Sequence, residues 1–363
     1  MKVLLGDLVN IKTGKLDANQ ADENGKYPFF TCSKEISKIN SYSYDCECVL
    51  IAGNGDLNVK YYNGKFEAYQ RTYILTSTDV NTLSNKYIYW FMNRYIVQLR
   101  NQSIGGVIKY IKLGDLTNIS LNLPTLDVQK RIVGIFESID RLIDTKVFIL
   151  QGLDDLIKSR FVELFGDPVL NEKGWNLTSL ESVCQSIYGG GTPSKKIKEY
   201  YMGTIPWVTS KDMKSDIIVD SIEHITQVAI DNSSTKIIPP ESVLIVIRSG
   251  ILKHTLPVCI NKSRVTINQD LKALVLDERC KAIYLQYLLK ALEKDILSGV
   301  RAVTADNIEF NSLKKRKIPI PPINKQIKFS QMVNQINKLK SDVQKSIDET
   351  RLLMDSLMQE YFG

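Results

Sequence analysis

The segment Ser159-Arg160-Phe161-Val162-Glu163-Leu164-Phe165-Gly166 closes a frame that opens at Pro124 and Gln129, and the frame returns 197 positions later (321 − 124, 362 − 165). Pro321 and Gln326 repeat the opening, and Ser356, Glu360, Phe362 and Gly363 repeat the close. Between these anchors both copies are long, amphipathic and almost free of helix breakers. Before the anchors, both copies are turn-rich, strand-like and far more divergent. A tandem duplication with a kept frame and changed lobes implies one job done on two different targets.

In the first frame the apolar residues Val128, Ile132, Ile135, Ile139, Leu142, Ile149, Leu153 and Leu156 step by threes, fours and one longer gap, which predicts a helix with a heptad seam. Lys146 falls on that seam and Arg160 extends it, so the packing there is expected to be interrupted or frayed. Asp127 is a candidate cap, and Gly166-Asp167-Pro168 stops the helix. The second copy offers Ile336, Leu339, Val343, Ile347, Thr350, Met354, Leu357 and Tyr361. About 40 residues at 1.5 Å each give a helix of roughly 60 Å. A single apolar stripe of that length needs a partner, and the other copy is the nearest one. The predicted architecture is mixed α/β (α+β). Two globular lobes are joined by two long antiparallel helices, a coiled-coil spacer with a pseudo-twofold internal repeat. The boundaries are a first lobe at 1–126, a first helix at 127–166, a second lobe at 167–323 and a second helix at 324–363.

Each lobe opens with a short strand and a glycine turn, Leu8 to Lys15 and Val183 to Ser194. An aromatic strand follows, Tyr27 to Thr31 against Ile205 to Ser210. A buried-looking run then ends in a polar turn, Val49 to Asp56 against Val243 to Gly250. A helix lies late in each lobe, Lys86 to Leu99 and Ala282 to Leu297.

With 44% hydrophobic and 24% charged residues, the 363-residue chain is ordinary globular material for two or three domains. No apolar run approaches the ~20 residues that span a bilayer, and Met1 to Asp7 lacks the core of a signal peptide, so a cytoplasmic protein with no membrane partner is expected. Six cysteines without metal spacing are expected to be reduced and structural. The net charge of +7 sits in the lobes: residues 1–126 hold 14 basic against 11 acidic side chains and residues 167–323 hold 21 against 17, whereas the helices balance at 12 each. A polyanion is therefore expected to meet the lobes.

No catalytic constellation is present. Gly189-Gly190-Gly191 lacks the following Gly-Lys-Ser/Thr of a phosphate loop, and no dinucleotide-binding glycine pattern occurs. His224 and His254 have no ligand cluster or nucleophile beside them, and Asp154 with Asp155 reads as a solvated helix face. The lobes do offer polar loop tips suited to base edges and phosphates: Asn54, Gln70, Arg71, Gln102 and Lys109 in the first, and Ser194, Lys195, Lys211, Arg248, Lys253, Gln269 and Arg301 in the second. The run Lys314 to Lys317 precedes a proline-rich strand and reads as solvation of its edge.

The junctions Ile108 to Leu123-Pro124 with Gln129, and Asn311-Ser312-Leu313 to Ile320-Pro321-Pro322 with Gln326, resemble those of the specificity subunits of type I restriction-modification enzymes. So do Tyr188 to Ser194 and Asn268 to Leu274. The family's glutamate before the junction glutamine is replaced by Val128 in one copy and Lys325 in the other. The resemblance implies a non-catalytic subunit with two target recognition domains, each reading half of a split, asymmetric site in double-stranded DNA, with the helices as spacer. It also implies two modification (methyltransferase) subunits that use S-adenosylmethionine, and restriction (translocase-nuclease) subunits that use ATP and magnesium. This chain itself is expected to hold no cofactor. The specificity subunit of a fused methylase-nuclease enzyme, and a structural adaptor that binds proteins, remain alternatives at the level of sequence.

Overall fold

The computed structural model describes residues 2–298, 301–302 and 306–363, with side chains for 2–298 and 307–363. The chain divides into two compact units, 1–149 with 343–363, and 150–342.

The first unit runs β1 (Lys2–Leu4), β2 (Val9–Thr13), β3 (Tyr27–Phe30), β4 (Ser37–Ile39), β5 (Tyr44–Ala52), β6 (Val59–Ala68), β7 (Thr72–Ser77), α1 (Asn85–Gln102), α2 (Leu113–Thr117), β8 (Ser120–Asn122) and the first part of α3 (Leu126–Phe165). Six strands form one sheet in the order β2-β7-β5-β6-β3-β4, antiparallel except for β3 beside β6. The run Cys48 to Ala52 lies at its centre and is buried on both faces, which is why it shows no polar alternation. On one face α1 buries Tyr87, Ile88, Phe91 and Met92, spaced at helical period. Trp90 of α1 stacks on Phe136 of α3 at 5.1 Å.

The second unit contains β9 (Asn176–Ser179), β10 (Cys184–Gly189), β11 (Ile205–Val208), β12 (Ile217–Ile218), β13 (Glu223–Ile225), α4 (Gln227–Asp231), β14 (Val243–Val246), β15 (Val258–Asn261), β16 (Thr266–Ile267), β17 (Leu271–Leu276), α5 (Ala282–Ala291), α6 (Glu293–Leu297), β18 (Arg301–Ala302), β19 (Asp306–Asn307), α7 (Phe310–Lys315), β20 (Lys317–Ile320) and the first part of α8 (Ile323–Phe362). Its sheets are β10-β17-β14-β15-β12 and β13-β11-β16. This is the plan of the first unit with one strand broken. Where β6 is continuous and pairs with both β5 and β3, the second unit uses β15 beside β14 and β16 beside β11. The predicted late helix is likewise two pieces, α5 and α6, which meet at Leu292.

In the first unit the start of α3 lies antiparallel to the end of α8. Phe136 stacks on Phe362 at 5.7 Å, and the Lys146 ammonium donates to the Ser346 carbonyl (3.2 Å), Ser346 Oγ (2.8 Å) and Thr350 Oγ1 (2.7 Å). The seam is therefore bridged at Lys146 rather than frayed there. In the second unit the end of α3 lies antiparallel to the start of α8, with Phe161 and Phe165 edge-on to Phe329 and Asp154 paired with Lys340. Asp154 is thus not part of a freely solvated face, whereas Asp155 is.

The predicted stripe is corrected in three further respects. Val128, Leu142, Ile149 and Leu156 are exposed by 40–46%, and Leu339 by 54%. Ile132 and Ile139 of the predicted stripe are buried, and the buried line is completed by Gln129, Val133, Phe136, Ile157, Phe161 and Phe165. A 3.6-residue helix drifts by about 20° per heptad from a 3.5-residue repeat, and the large phenylalanines take the inner positions. The first helix begins at Leu126, which places Asp127 in its first turn rather than at the cap.

Both junction glutamines are fully buried. Gln129 Oε1 accepts from Ser84 N (2.9 Å), and its Nε2 donates to the carbonyls of Thr82 (2.8 Å) and Pro124 (2.9 Å). Gln326 does the same with Lys281 N (2.9 Å) and the carbonyls of Arg279 (3.1 Å) and Pro321 (2.8 Å). Ser84 and Lys281 are the N-cap residues of α1 and α5, so one side chain ties each lobe helix to its long helix.

Candidate nucleic-acid interface

In each unit three loops converge at one end of the central strands. In the first they follow β2 (residues 14–17), follow β5 (53–56) and join β6 to β7 (69–71). Lys15 N donates to the Ala68 carbonyl (3.2 Å), Gly53 N to that of Arg71 (2.8 Å) and Gln70 N to that of Leu16 (2.9 Å). In the second they follow β10 (190–195), follow β14 (247–249) and join β16 to β17 (268–270). Gly191 N donates to the Ile267 carbonyl (3.0 Å) and Ile247 N to that of Asp270 (2.8 Å). A Cβ at Gly14 would stand 2.1 Å from the Ala68 carbonyl oxygen, and one at Gly190 would stand 1.8 Å from that of Asn268. The glycines therefore let two backbones cross, which accounts for a glycine-rich turn with no phosphate-binding sequence behind it.

The registers Phe30↔Ala68 and Val208↔Ile267 make Gln70 and Gln269 structural equivalents. The matching amide bonds of Gly53 and Ile247 likewise make Asn54 equivalent to Arg248, and Arg71 to Asp270. The same frame thus presents unlike side chains in the two units.

In the first unit Asn54, Gln70, Arg71 and Lys109 are brought together. Gln70 and Arg71 line a cleft of about 230 Å³ with Thr13, Gly53, Tyr73 and Ile111. Gln70 Nε2 donates to Asp17 Oδ1 (2.7 Å), Asn54 bridges to Tyr110, and the Lys109 carbonyl accepts from Gly55 N (2.9 Å). Gln102 ends α1, exposed and two residues before Ile104, whose backbone pairs with Tyr110. Sequence reasoning missed Asp56, which is flanked by Lys34 (2.9 Å) and Arg100 (3.4 Å). The hydrogen bond from Lys34 is the main reason its carboxyl titrates below the usual range.

In the second unit a cleft of about 320 Å³ is lined by Thr192, Lys195, Trp207, Lys211, Gln269 and Asp270, among others. The Lys195 ammonium stands 5.8 Å from the ring centre of Trp207, whose Nε1 donates to the Gly191 carbonyl (3.0 Å). Asp212 accepts from Thr209 N (2.7 Å) and Ile222 N (2.8 Å) and so fixes the turn that exposes Lys211. Gln269 hydrogen-bonds Thr192, and Ser194 is exposed on the same loop as Lys195. Arg248 is paired with Asp270 at 2.6 Å, and Lys253 lies on the turn that follows Arg248. Arg301 lies on β18, and its side chain is outside the described residues. The exposed amides, hydroxyls and cations gathered in each cleft suit contact with base edges and phosphates.

Among the described residues no group of histidines, cysteines and carboxylates is arranged to hold a metal ion. All six thiols are free, and burial pushes those of Cys184, Cys259 and Cys280 up to about 12, so they are protonated and inert at neutral pH. No helix among the described residues is long and apolar enough to cross a membrane.

The family model for the type I restriction modification DNA specificity domain matches residues 1–153 and 172–350. The type I restriction enzyme EcoDI specificity subunit of Escherichia coli is 39% identical over 156 residues, 43% of this chain and 34% of that protein. The EcoR124I/EcoR124II specificity subunit of Escherichia coli is 29% identical over 277 residues, 74% of this chain and 67% of that protein. The chain thus spans about a third of the first relative and about two thirds of the second. A crystal structure of a type I restriction-modification S subunit from M. genitalium superposes over 100% of this chain and 96% of its own, with a TM-score of 0.63 at 14% identity. That likeness is one of fold.

Proposed function

The chain belongs to the type I restriction-modification DNA specificity family, and from that premise we propose that it is the specificity subunit that selects the DNA site for such an enzyme. The observation that carries this reading is the repeated turn frame with unlike side chains: Asn54 against Arg248 and Arg71 against Asp270 in otherwise matching surroundings. One architecture applied to two different half-sites yields a split, asymmetric target, and the long helices α3 and α8 set the interval between the halves. The chain itself carries no chemistry. Two modification subunits supply methyl transfer with S-adenosylmethionine, and restriction subunits supply ATP- and magnesium-dependent translocation and cleavage, all in the cytoplasm.

The proposal is tested by measuring the affinity of the full chain for duplex DNA by fluorescence anisotropy between 50 and 200 mM salt. A protein that contacts several phosphates loses affinity by at least ~100-fold over that range through counterion release. An affinity that does not change with salt, or the absence of any binding, overturns the reading.

A further inference from the structure

Arg248, at the loop tips of the second unit, is held by a side-chain fork, as Arg279 is by Asp277 away from those loops. Its Nε and Nη2 both donate to Asp270 Oδ1, at 2.7 and 2.6 Å. The second carboxylate oxygen, Oδ2, accepts from Asn268 Nδ2 (3.0 Å), and Asp270 N donates back to Asn268 Oδ1 (3.1 Å). Asn268 is only 7% exposed, so the anchor is rooted in the core. The Arg248 backbone is fixed as well, through N to the Asp270 carbonyl (3.2 Å) on one side and a bridge to Asn307 on the other.

This arrangement uses the side edge of the guanidinium, Nε–H and one Nη2–H, and leaves for a ligand its end edge, made by Nη1 and the second hydrogen of Nη2. Among the described residues Nη1 has no protein partner, and the Arg248 side chain is 48% exposed against 24% for Asp270. Two parallel N–H donors match two parallel acceptors. In the major groove only guanine offers that pair, O6 with N7, whereas adenine places an amino donor where the second acceptor would be. We propose that Asp270 is a positioning residue that holds Arg248 to read a guanine in the half-site met by the second unit. The proposal rests on the reading of this chain as a DNA specificity subunit. The equivalent pair in the first unit, Asn54 and Arg71, has no carboxylate to form this fork, so a guanine contact positioned in this way belongs to one half-site alone.

The test is selection of duplexes from a randomised pool by the full chain and by Arg248→Ala, Arg248→Lys and Asp270→Asn. The wild type is expected to select sites with a fixed guanine in one half. Arg248→Ala and Arg248→Lys lower the preference for that guanine over adenine by at least about tenfold, the lysine variant while keeping its charge. Asp270→Asn lowers it severalfold. All three leave the other half-site unchanged, which a general loss of folding would not do. A guanine preference that survives Arg248→Ala overturns the contact, and one that survives Asp270→Asn overturns the positioning role. A wild type that selects half-sites without a fixed guanine refutes the inference but leaves the DNA reading standing, whereas one that selects no sequence refutes both.

Discussion

Tyr87 and Tyr284 stand 197 positions apart and occupy the same place. Tyr87 donates its hydroxyl to the Asn122 carbonyl (3.3 Å) and meets Phe362 edge-on at 5.3 Å; Tyr284 donates to the Pro319 carbonyl (2.7 Å) and meets Phe165 edge-on at 4.9 Å. The carbonyl partner moves forward by 197 positions (319 − 122) and the phenylalanine partner back by 197 (362 − 165), so each tyrosine meets the end of the other copy's long helix. The residue that ends each long helix is thus inserted beside the tyrosine of a lobe, and beneath it Gln129 or Gln326 ties that lobe's helix to the long helix that begins there. What the duplication preserves is this joint.

Gln326→Ala should be costly for so small a change. It strands the Lys281 amide and two carbonyls in a buried site and leaves a void, at a cost of about 2–4 kcal/mol. Urea unfolding would show this as a lower midpoint, with Lys328→Ala on the exposed side of the same helix as control. A loss below about 0.5 kcal/mol would mean that the glutamine does not hold the joint.

Lys146 and Thr350 should respond asymmetrically. Lys146→Met replaces a half-buried charge with an apolar chain of similar length, a change of less than about 1 kcal/mol. Thr350→Val removes an acceptor while the ammonium stays, and costs about 1–2 kcal/mol. Chemical denaturation of both variants checks the order; the reverse order would mean that the ammonium contributes to stability rather than needing its partners.

Glycine substitutions separate backbone crossings from ordinary helix positions. Gly134 and Gly152 lie in α3 with open space around a would-be Cβ, so alanine at either raises stability by about 0.5–1 kcal/mol. Gly190→Ala meets the Asn268 carbonyl and lowers it by at least about 2 kcal/mol. Thermal unfolding of the three variants distinguishes the cases, and a harmless Gly190→Ala would refute the close crossing.

Stability should fall at alkaline pH. The thiols of Cys184, Cys259 and Cys280 have folded values of about 12 against an ordinary 9.0, so the unfolded chain releases these protons first. Their contribution is fully present below pH 9 and is lost as pH rises through 12; at pH 10 each thiol accounts for roughly 1 kcal/mol. Urea midpoints between pH 8 and pH 10 should decline, and Cys259→Ala should decline less. Equal slopes would show that Cys259 is not protected by burial.

The duplication, both long helices, the paired lobes and the main strands could be read from residue type and spacing, because glycine turns, aromatic strands and an unbroken apolar run each have one simple structural outcome. The inward face of the helices could not. Gln129 is polar and fully buried, while Val128 beside it is apolar and half-exposed, an inversion that follows from hydrogen bonds to Ser84 and Thr82, about 45 positions earlier in the chain. The clefts were legible as loop tips that carry amides, hydroxyls and cations. The pairing of Arg248 with Asp270 was not, since it depends on two loops meeting across the sheet.

The claim that each lobe reads its own half of a split site is tested most directly by mapping methylated positions in DNA modified by the chain together with its modification subunits. The wild type should mark one motif of two unlike halves at a fixed interval. Gln70→Ala with Arg71→Ala should relax only one half, and Gln269→Ala only the other. A single unbroken motif, or variants that each alter both halves, would contradict it.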